Sequence, residues 1–171
     1  MSFSRRGFIL LGTAGLLAGC SVPKGMAPGI STSPLHLTRG AIIAAINNAR
    51  RANGGCPPLV YSDRLEAAAR SQAELMVRKD KLSHDLGVTL RQRVAAQGYD
   101  GAVGENLAGG QQSLDQAIDG WLHSKGHRDT LLSTRFVEFG LAVAQVPAGT
   151  KSRYGTYWAF IAGGPFEAWK V

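Results

Sequence analysis

Three short polar motifs stand out in this chain, because each carries a side chain that can bind a metal or transfer a proton. Ser83-His84 follows a helical stretch, Gly104-Glu105-Asn106-Leu107 lies between glycine-rich turns, and Gly126-His127-Arg128 opens a short helix. We expect the two imidazoles and the carboxylate, supplied by separate loops, to converge on one cleft.

Two neutral imidazoles suit a borderline metal such as Zn²⁺, with water in the remaining positions and a carboxylate to orient that water. The sequence therefore predicts Zn²⁺ or another divalent transition metal at His84 and His127, with Glu105 in the cleft. The intervals between the motifs match no fixed ligand motif. Taken singly, each residue has a plainer interpretation: His84 complements a helix dipole, Glu105 is solvated, and His127 is an exposed polar residue.

The candidate nucleophiles are Ser124 and Cys56. Ser124 and His127 are three residues apart and could share a helix face, but the chain has neither a G-x-S-x-G elbow nor an H-E-x-x-H motif. Cys56 has no visible base beside it, which favours a packed thiol over a nucleophile. We therefore assign no catalytic residue, and Glu105 and Ser124 are the candidates in the cleft.

Amphipathic helices are predicted to position these motifs, because apolar residues recur at intervals of three and four. The stretches run from Thr38 to Gly54, Ser62 to Lys81, Val88 to Gln97 and Ser113 to Leu122, with a further turn at Arg128 to Leu132. Thr38 and Ser113 are predicted to cap their helices, and Asp63 and Glu66 to form a capping box.

The C-terminal part changes to the period of two that is typical of β-strands. Apolar residues alternate over 139–146, and residues 154–161 are predicted to pair with them across the loop 147–153. Both strands are apolar on both faces, so helices must cover the sheet on each side. The sequence therefore predicts an α+β domain: a three-layer α-β-α sandwich with a small, largely antiparallel sheet.

The N-terminus is typical of an exported lipoprotein. Arg5-Arg6 precedes an apolar run over 8–19 that is too short to span a bilayer. The arginine pair resembles a twin-arginine signal, and Leu17-Ala18-Gly19-Cys20 resembles a lipobox, in which the cysteine thiol is acylated. The alternative is a plain cleaved signal in which Cys20 is incidental.

This pattern predicts three regions. Residues 1–19 form a signal peptide, residues 20–37 a lipidated N-terminus and flexible tether rich in Pro, Gly and Ser, and residues 38–171 one domain. We expect the mature protein outside the cytoplasm, anchored to a membrane on its periplasmic or cell-surface side.

Charge narrows the choice of partner. Nineteen basic and twelve acidic residues give a formal net charge of +7, with no basic run longer than a pair. Export argues against nucleic acid, and the charge favours anionic lipid or a cell-wall polymer. With Cys20 lipidated, Cys56 has no intramolecular partner, so the domain is not a disulfide scaffold.

The motifs also occur in a characteristic order. The elements are Asn47-x-x-Arg50, Ser83-His84, Arg93-x-x-x-x-Gly98-Tyr99, Gly104-Glu105-Asn106-Leu107, Trp121-x-x-Ser124-x-Gly126-His127-Arg128 and Tyr157-Trp158. This order resembles the bacterial branch of the CAP superfamily, the SCP-like family of cysteine-rich secretory, antigen 5 and pathogenesis-related proteins. The resemblance covers residues 40–164 and implies an α-β-α sandwich.

The family cleft typically holds two histidines and two glutamates. By resemblance, His84 and His127 match the histidines and Glu105 matches the first glutamate, whereas Ser124 stands at the place of the second. Arg128 replaces an aromatic residue, and we expect it to hold a carboxylate or another anionic ligand group in the cleft.

Two functions remain open at this point. The first is a lipid-anchored binding module of the cell envelope with a metal-capable cleft; the family implies lipid or sterol ligands. The second is a metal- or serine-dependent hydrolase acting on envelope peptide, peptidoglycan or ester substrates. The missing second carboxylate favours binding, because no separate acid is evident to protonate a leaving group.

Overall fold

The structure, a computed structural model, describes residues 32–170, which form a sheet with helices on both faces. The elements are a 3₁₀ helix at Pro34–His36, α1 (Arg39–Ala52), β1 (Val60–Tyr61), α2 (Asp63–Lys79), α3 (Leu90–Ala95), β2 (Ala102–Gly109), α4 (Leu114–His123), α5 (Lys125–Leu132), β3 (Glu138–Gln145), β4 (Thr156–Gly164) and a second 3₁₀ helix at Phe166–Trp169. The predicted α-β-α sandwich is confirmed.

The sheet has four strands in the order β1-β3-β4-β2. Strand β4 pairs antiparallel with both β3 and β2, and the two-residue β1 pairs parallel with β3. The predicted hairpin is present, with Gln145 opposite Thr156. Strand β2 lies at one edge, where Glu105 is opposite Ile161 of β4.

The core divides into two clusters, one on each face of the sheet. Helices α1, α4 and α5 contribute to the cluster that contains Trp121 and Phe160, and α2 and α3 to the cluster that contains Met76 and Ile161. Phe160 and Ile161 are neighbours in β4, whose side chains alternate between the two faces. Every residue of β4 is buried, as its apolar sequence predicted.

Two strands were not predicted. The Gly104-Glu105-Asn106-Leu107 motif, which we expected in a loop, lies inside strand β2. Gly104 serves close packing rather than a turn, because a Cβ atom there would lie 2.9 Å from Thr130 Cγ2 and 3.0 Å from the Phe136 ring. Strand β1 is only two residues long, too short for alternation to reveal it.

The structure confirms some of the predicted helix caps and contradicts another. The caps predicted at Thr38 and Ser113 are present, with each hydroxyl accepting a bond from a backbone N–H of the first turn. The capping box predicted from Asp63 is wrong. Glu66 instead forms ion pairs with Arg39 and Arg70, and a reciprocal capping box occurs at the start of α3.

The domain begins earlier than the predicted boundary at residue 38. Thr32 is buried, and its hydroxyl donates to Asp115 Oδ2 at 2.9 Å, while Leu37 packs against the core. Residues 32–37 are therefore part of the packed domain. The predicted signal peptide, Cys20 and the rest of the predicted tether lie outside the described residues. Within residues 32–170, no helix has the length and apolar character needed to cross a membrane.

Candidate functional site

Strand β2 carries the two residues that organise the candidate site. Glu105 and Asn106 are neighbours in the strand, so their side chains point to opposite faces of the sheet. Both are buried, with residue exposures of 8% and 0%. Glu105 contacts the layer that contains α2 and α3, whereas Asn106 contacts α5.

The Glu105 carboxylate is held by two basic side chains. Oε1 accepts a hydrogen bond from Arg93 Nη2 at 2.6 Å, and Oε2 lies 2.9 Å from Nδ1 of His84. The side chains of Glu105 and Arg93 are 2% and 1% exposed. Arg93 Nη1 also donates to the carbonyl oxygens of Val88 and His84, at 2.5 and 3.3 Å. The buried ion pair therefore fixes the loop that carries His84.

His84 is held on both sides of its backbone but presents its ring to solvent. Gln72, fully buried in α2, donates through Nε2 to the carbonyl oxygen of Ser83 at 2.6 Å. The His84 side chain is 59% exposed. The hydrogen bond to Glu105 raises the pKa of His84 above its ordinary value. Because Nδ1 faces the carboxylate, Nε2 is the ring nitrogen available to a ligand.

His127 enters the site from the other layer, in the first turns of α5. Asn106 Nδ2 donates to the His127 backbone carbonyl oxygen at 2.8 Å. Partial burial lowers the pKa of the His127 ring, and electrostatic repulsion from His84 lowers it further. The structure thus joins His84 directly to Glu105, and His127 to the neighbouring residue Asn106, at the two faces of strand β2.

The residues predicted to ligate a metal are His84 and His127, with Glu105 as a cleft residue. Among residues 32–170, no group of three or more His, Cys, Asp and Glu side chains is arranged to hold a metal ion. Both Glu105 oxygens face basic groups, so that carboxylate belongs to the support of the site. The two imidazoles therefore remain the predicted metal ligands.

The remaining predicted site residues lie on or near α5. Ser124 is the junction between α4 and α5, is half-buried, and makes no capping bond with its hydroxyl. Arg128 is exposed, and its Nη2 lies 3.5 Å from the carbonyl oxygen of Asn53 at the end of α1. The Cys56 thiol lies 3.2 Å from the carbonyl oxygen of Leu132, the contact of a packed thiol.

Three supporting residues were not predicted for the site: Gln72, Arg93 and Asn106. Gln72 interrupts the apolar face of α2, and this polar interruption could have indicated a buried residue with a specific role. For Arg93 the corresponding feature is a charged residue directly before Val94, which is buried in α3. The role of Asn106 depends on its location in a strand, which the sequence did not reveal.

Sequence comparison places the chain among known proteins. Residues 43–161 match the model of the cysteine-rich secretory protein (CAP) family. An uncharacterized Bacillus subtilis protein, YkwD, is 26% identical over 106 residues, which are 60% of this chain and 41% of that protein. The match therefore spans less than half of that relative.

Solved structures show the same fold. An extracellular Bacillus anthracis protein containing an SCP domain is 24% identical, with a TM-score of 0.57 over 75% of this chain and 44% of its own. An outer surface protein of Borrelia burgdorferi is 22% identical, with a TM-score of 0.63 over 74% of this chain and 91% of its own. Together with the family match, these findings establish that the chain belongs to the cysteine-rich secretory protein family.

Proposed function

We propose that this protein is an exported, lipid-anchored binding module of the cell envelope, whose ligand site is formed by His84 and His127. The N-terminal signal pattern and the candidate lipobox at Cys20 support export and anchoring. Two structural relatives support the location: one is an extracellular protein and the other an outer surface protein.

The observation that favours a binding function over hydrolysis is that both oxygens of the Glu105 carboxylate already contact basic side chains. Hydrolysis requires a group that is free to take a proton from the attacking nucleophile. Both Glu105 oxygens already face partners, Arg93 at 2.6 Å and His84 at 2.9 Å. Using this carboxylate as a base would disturb a buried ion pair. Within the described residues, the Ser124 hydroxyl has no hydrogen bond to an imidazole that would activate it.

A divalent transition metal such as Zn²⁺ would use the two imidazoles as its protein ligands. The bond from His84 Nδ1 to Glu105 is the carboxylate–histidine arrangement that orients many metal-binding histidines. His84 and His127 would hold the ion, with water in the remaining positions and Glu105 orienting His84. Bound there, the metal would attract and polarise an oxygen atom of the ligand.

Calorimetric titration of Zn²⁺ tests the shared site. Wild type should bind one equivalent, and the variants His84→Ala and His127→Ala should each lose more affinity than Glu105→Gln. That supporting change should cost about 10–100-fold. His123→Ala is the matched control, because His123 is exposed and contacts Asp119 within α4. Equal affinity in wild type and His84→Ala would rule out a shared site.

The absence of hydrolysis is tested separately. Purified protein with Zn²⁺ should show no turnover of casein, peptidoglycan or simple esters above a His84→Ala/His127→Ala control. Turnover that disappears in that control would overturn the binding module in favour of a hydrolase.

The anchor is tested in cells. Cys20→Ala should release the protein from membranes, because the acylated thiol is lost. If the variant still fractionates with membranes, the assignment of Cys20 as the anchor is wrong.

Replacing Arg5 and Arg6 by lysine should block export by a twin-arginine route, and normal export of that variant would indicate the general secretory route.

A further inference from the structure

Near the C-terminus, the protein exposes a surface formed by Arg91, Arg135, Phe166 and Trp169, here named the aromatic–arginine surface. Phe166 and Trp169, at the two ends of the second 3₁₀ helix, are 50% and 39% exposed. A guanidinium lies over each ring: Arg91 is 5.9 Å from the Phe166 centroid, and Arg135 is 4.8 Å from the Trp169 centroid. Aromatic area and positive charge are thus combined in one place.

Packing holds this surface in a defined shape. The Trp169 ring contacts Phe136 with centroids 5.2 Å apart, and Arg91 Nη2 donates to the Gly101 carbonyl oxygen at 2.8 Å. A hollow of about 360 Å³ is lined by Arg91, Ala102, Val103, Phe166 and Trp169. A second hollow of about 410 Å³, lined in part by Arg135, adjoins Trp169. The indole therefore stands between two hollows with an arginine at each.

Two acidic groups beside this surface have lysine partners of their own. Glu167, in the same 3₁₀ helix, lies 3.7 Å from Lys170 Nζ. Asp129, which lines the second hollow, lies 2.7 Å from Lys125 Nζ. Neither of these carboxylates is paired with Arg91 or Arg135, which leaves the two guanidinium groups available to an anionic partner.

We infer that the aromatic–arginine surface docks the domain on an anionic lipid bilayer. Tryptophan and phenylalanine rings favour the boundary between headgroups and acyl chains. Guanidinium groups pair well with lipid phosphates, and the formal net charge of +5 that remains once Arg5 and Arg6 leave with the signal attracts an anionic leaflet. A cell-wall glycan would instead stack on the indole face, which the Arg135 guanidinium covers.

The inference rests on the proposed function for its setting. A lipid on Cys20 would keep Thr32 within about 40 Å of the bilayer, the maximum reach of residues 20–31. At that distance a surface with weak affinity for lipid would still bind the bilayer, because the anchor gives it a high effective concentration there. Val103 in the first hollow is two residues from Glu105 in β2, which is about 7 Å along the strand. Docking would therefore bring the His84–His127 site close to the lipid headgroups.

The test uses residues 32–171, which contain every described element and core residue but neither signal nor Cys20. Binding is measured by co-sedimentation with vesicles of equal parts phosphatidylglycerol and phosphatidylcholine, and with vesicles of phosphatidylcholine alone. Brominated lipid reports contact, because Trp121 and Trp158 are 1% and 0% exposed and Trp169 is the accessible indole. The protein should bind the anionic vesicles, with quenching of Trp169 fluorescence.

Charge-matched variants distinguish this surface from general attraction. Arg91→Gln/Arg135→Gln should weaken binding about 30-fold, because each arginine near a membrane contributes about 1 kcal/mol. Arg51→Gln/Arg78→Gln removes the same charge from exposed sites elsewhere and should weaken binding much less. Phe166→Ala should also reduce binding. Unfolding midpoints equal to wild type would show that all variants are folded.

Three results would overturn the inference: no binding to the anionic vesicles, binding without Trp169 quenching, or equal losses in the two arginine variants. Binding to purified peptidoglycan but not to vesicles would also overturn it and assign the surface to a cell-wall polymer. Because the fragment of residues 32–171 lacks Cys20, none of these results depends on lipidation. Fractionation of the Cys20→Ala variant tests the anchor on its own.

Discussion

The two faces of strand β2 hold their histidines in different ways. On one face, the Glu105 carboxylate contacts the His84 imidazole itself, backed by the buried Arg93 guanidinium. On the other face, Asn106 holds only the backbone of His127, whose ring has no carboxylate partner among residues 32–170. One edge strand therefore joins both layers of the sandwich at the site.

This difference separates the protonation of the two rings. His84 has a raised pKa because of its carboxylate partner, whereas His127 has a lowered pKa because of burial and the neighbouring imidazole. His84 should therefore keep its proton to a higher pH than His127 does. A metal needs both neutral, so the two layers contribute unequally to its pH dependence.

The largest expected effect is from Arg93→Ala. The change leaves the buried Glu105 carboxylate without its ion-pair partner and should lower the free energy of unfolding by about 3–5 kcal/mol. Urea denaturation measures the loss. Arg91→Ala is the control, because Arg91 lies two residues away in the same helix but is exposed, and should cost about 1 kcal/mol or less. Equal losses would mean that the buried pair has no special role.

A smaller loss of unfolding free energy is expected on the face of β2 that carries Asn106. Asn106→Ala removes one hydrogen bond, to the His127 carbonyl oxygen, and should cost about 1–3 kcal/mol. NMR spectra should show the His127 ring resonances shifted and those of His84 nearly unchanged. A larger disturbance at His84 than at His127 would contradict the separation of the two faces.

A change in proton affinity should follow from Glu105→Gln. In metal-free wild type, His84 should gain its proton at a higher pH than His127 as the pH falls. Because Glu105 raises the pKa of His84, replacing Glu105 by an uncharged amide should lower that pKa. The difference between the pKa values of His84 and His127 should therefore become smaller. NMR titration of the ring protons measures both values. A His127 that titrates at or above His84 in wild type would contradict the account.

The smallest effect is expected at Arg128. Its contact with Asn53 is long, at 3.5 Å, and its side chain is exposed. Arg128→Ala should therefore change the free energy of unfolding by about 0.5 kcal/mol or less in urea denaturation. A loss as large as that of Asn106→Ala would show that α5 depends on Arg128 for its attachment.

The elements that the sequence predicted best are those with a strong apolar period. Helices α1, α2 and α4 and the hairpin of β3 and β4 bury one stripe or both faces, so their periods persist over many residues. Strand β2 was missed because Gly104 and Gly109 are typical of turns. Here both glycines make room for packed side chains, those of Thr130 and Tyr154 among them.

The site was predicted in its chemistry but not in its support. His84, Glu105 and His127 carry side chains whose types indicate metal or acid–base chemistry, and the structure pairs His84 with Glu105 and attaches His127 to the next residue of β2. Arg93 is a residue type that is usually exposed, and only the tertiary structure shows that it is 2% exposed and paired. The sequence also predicted that the Glu105 carboxylate orients a metal-bound water, since it could not show that Arg93 and His84 contact both of its oxygens.

The most direct test of the central claim is an anomalous difference map from a Zn²⁺-soaked crystal. The account predicts one peak within about 2.0–2.1 Å of a ring nitrogen of both His84 and His127, with the Glu105 oxygens still on His84 and Arg93. A peak coordinated by Glu105, or by only one of the two histidines, would contradict the account.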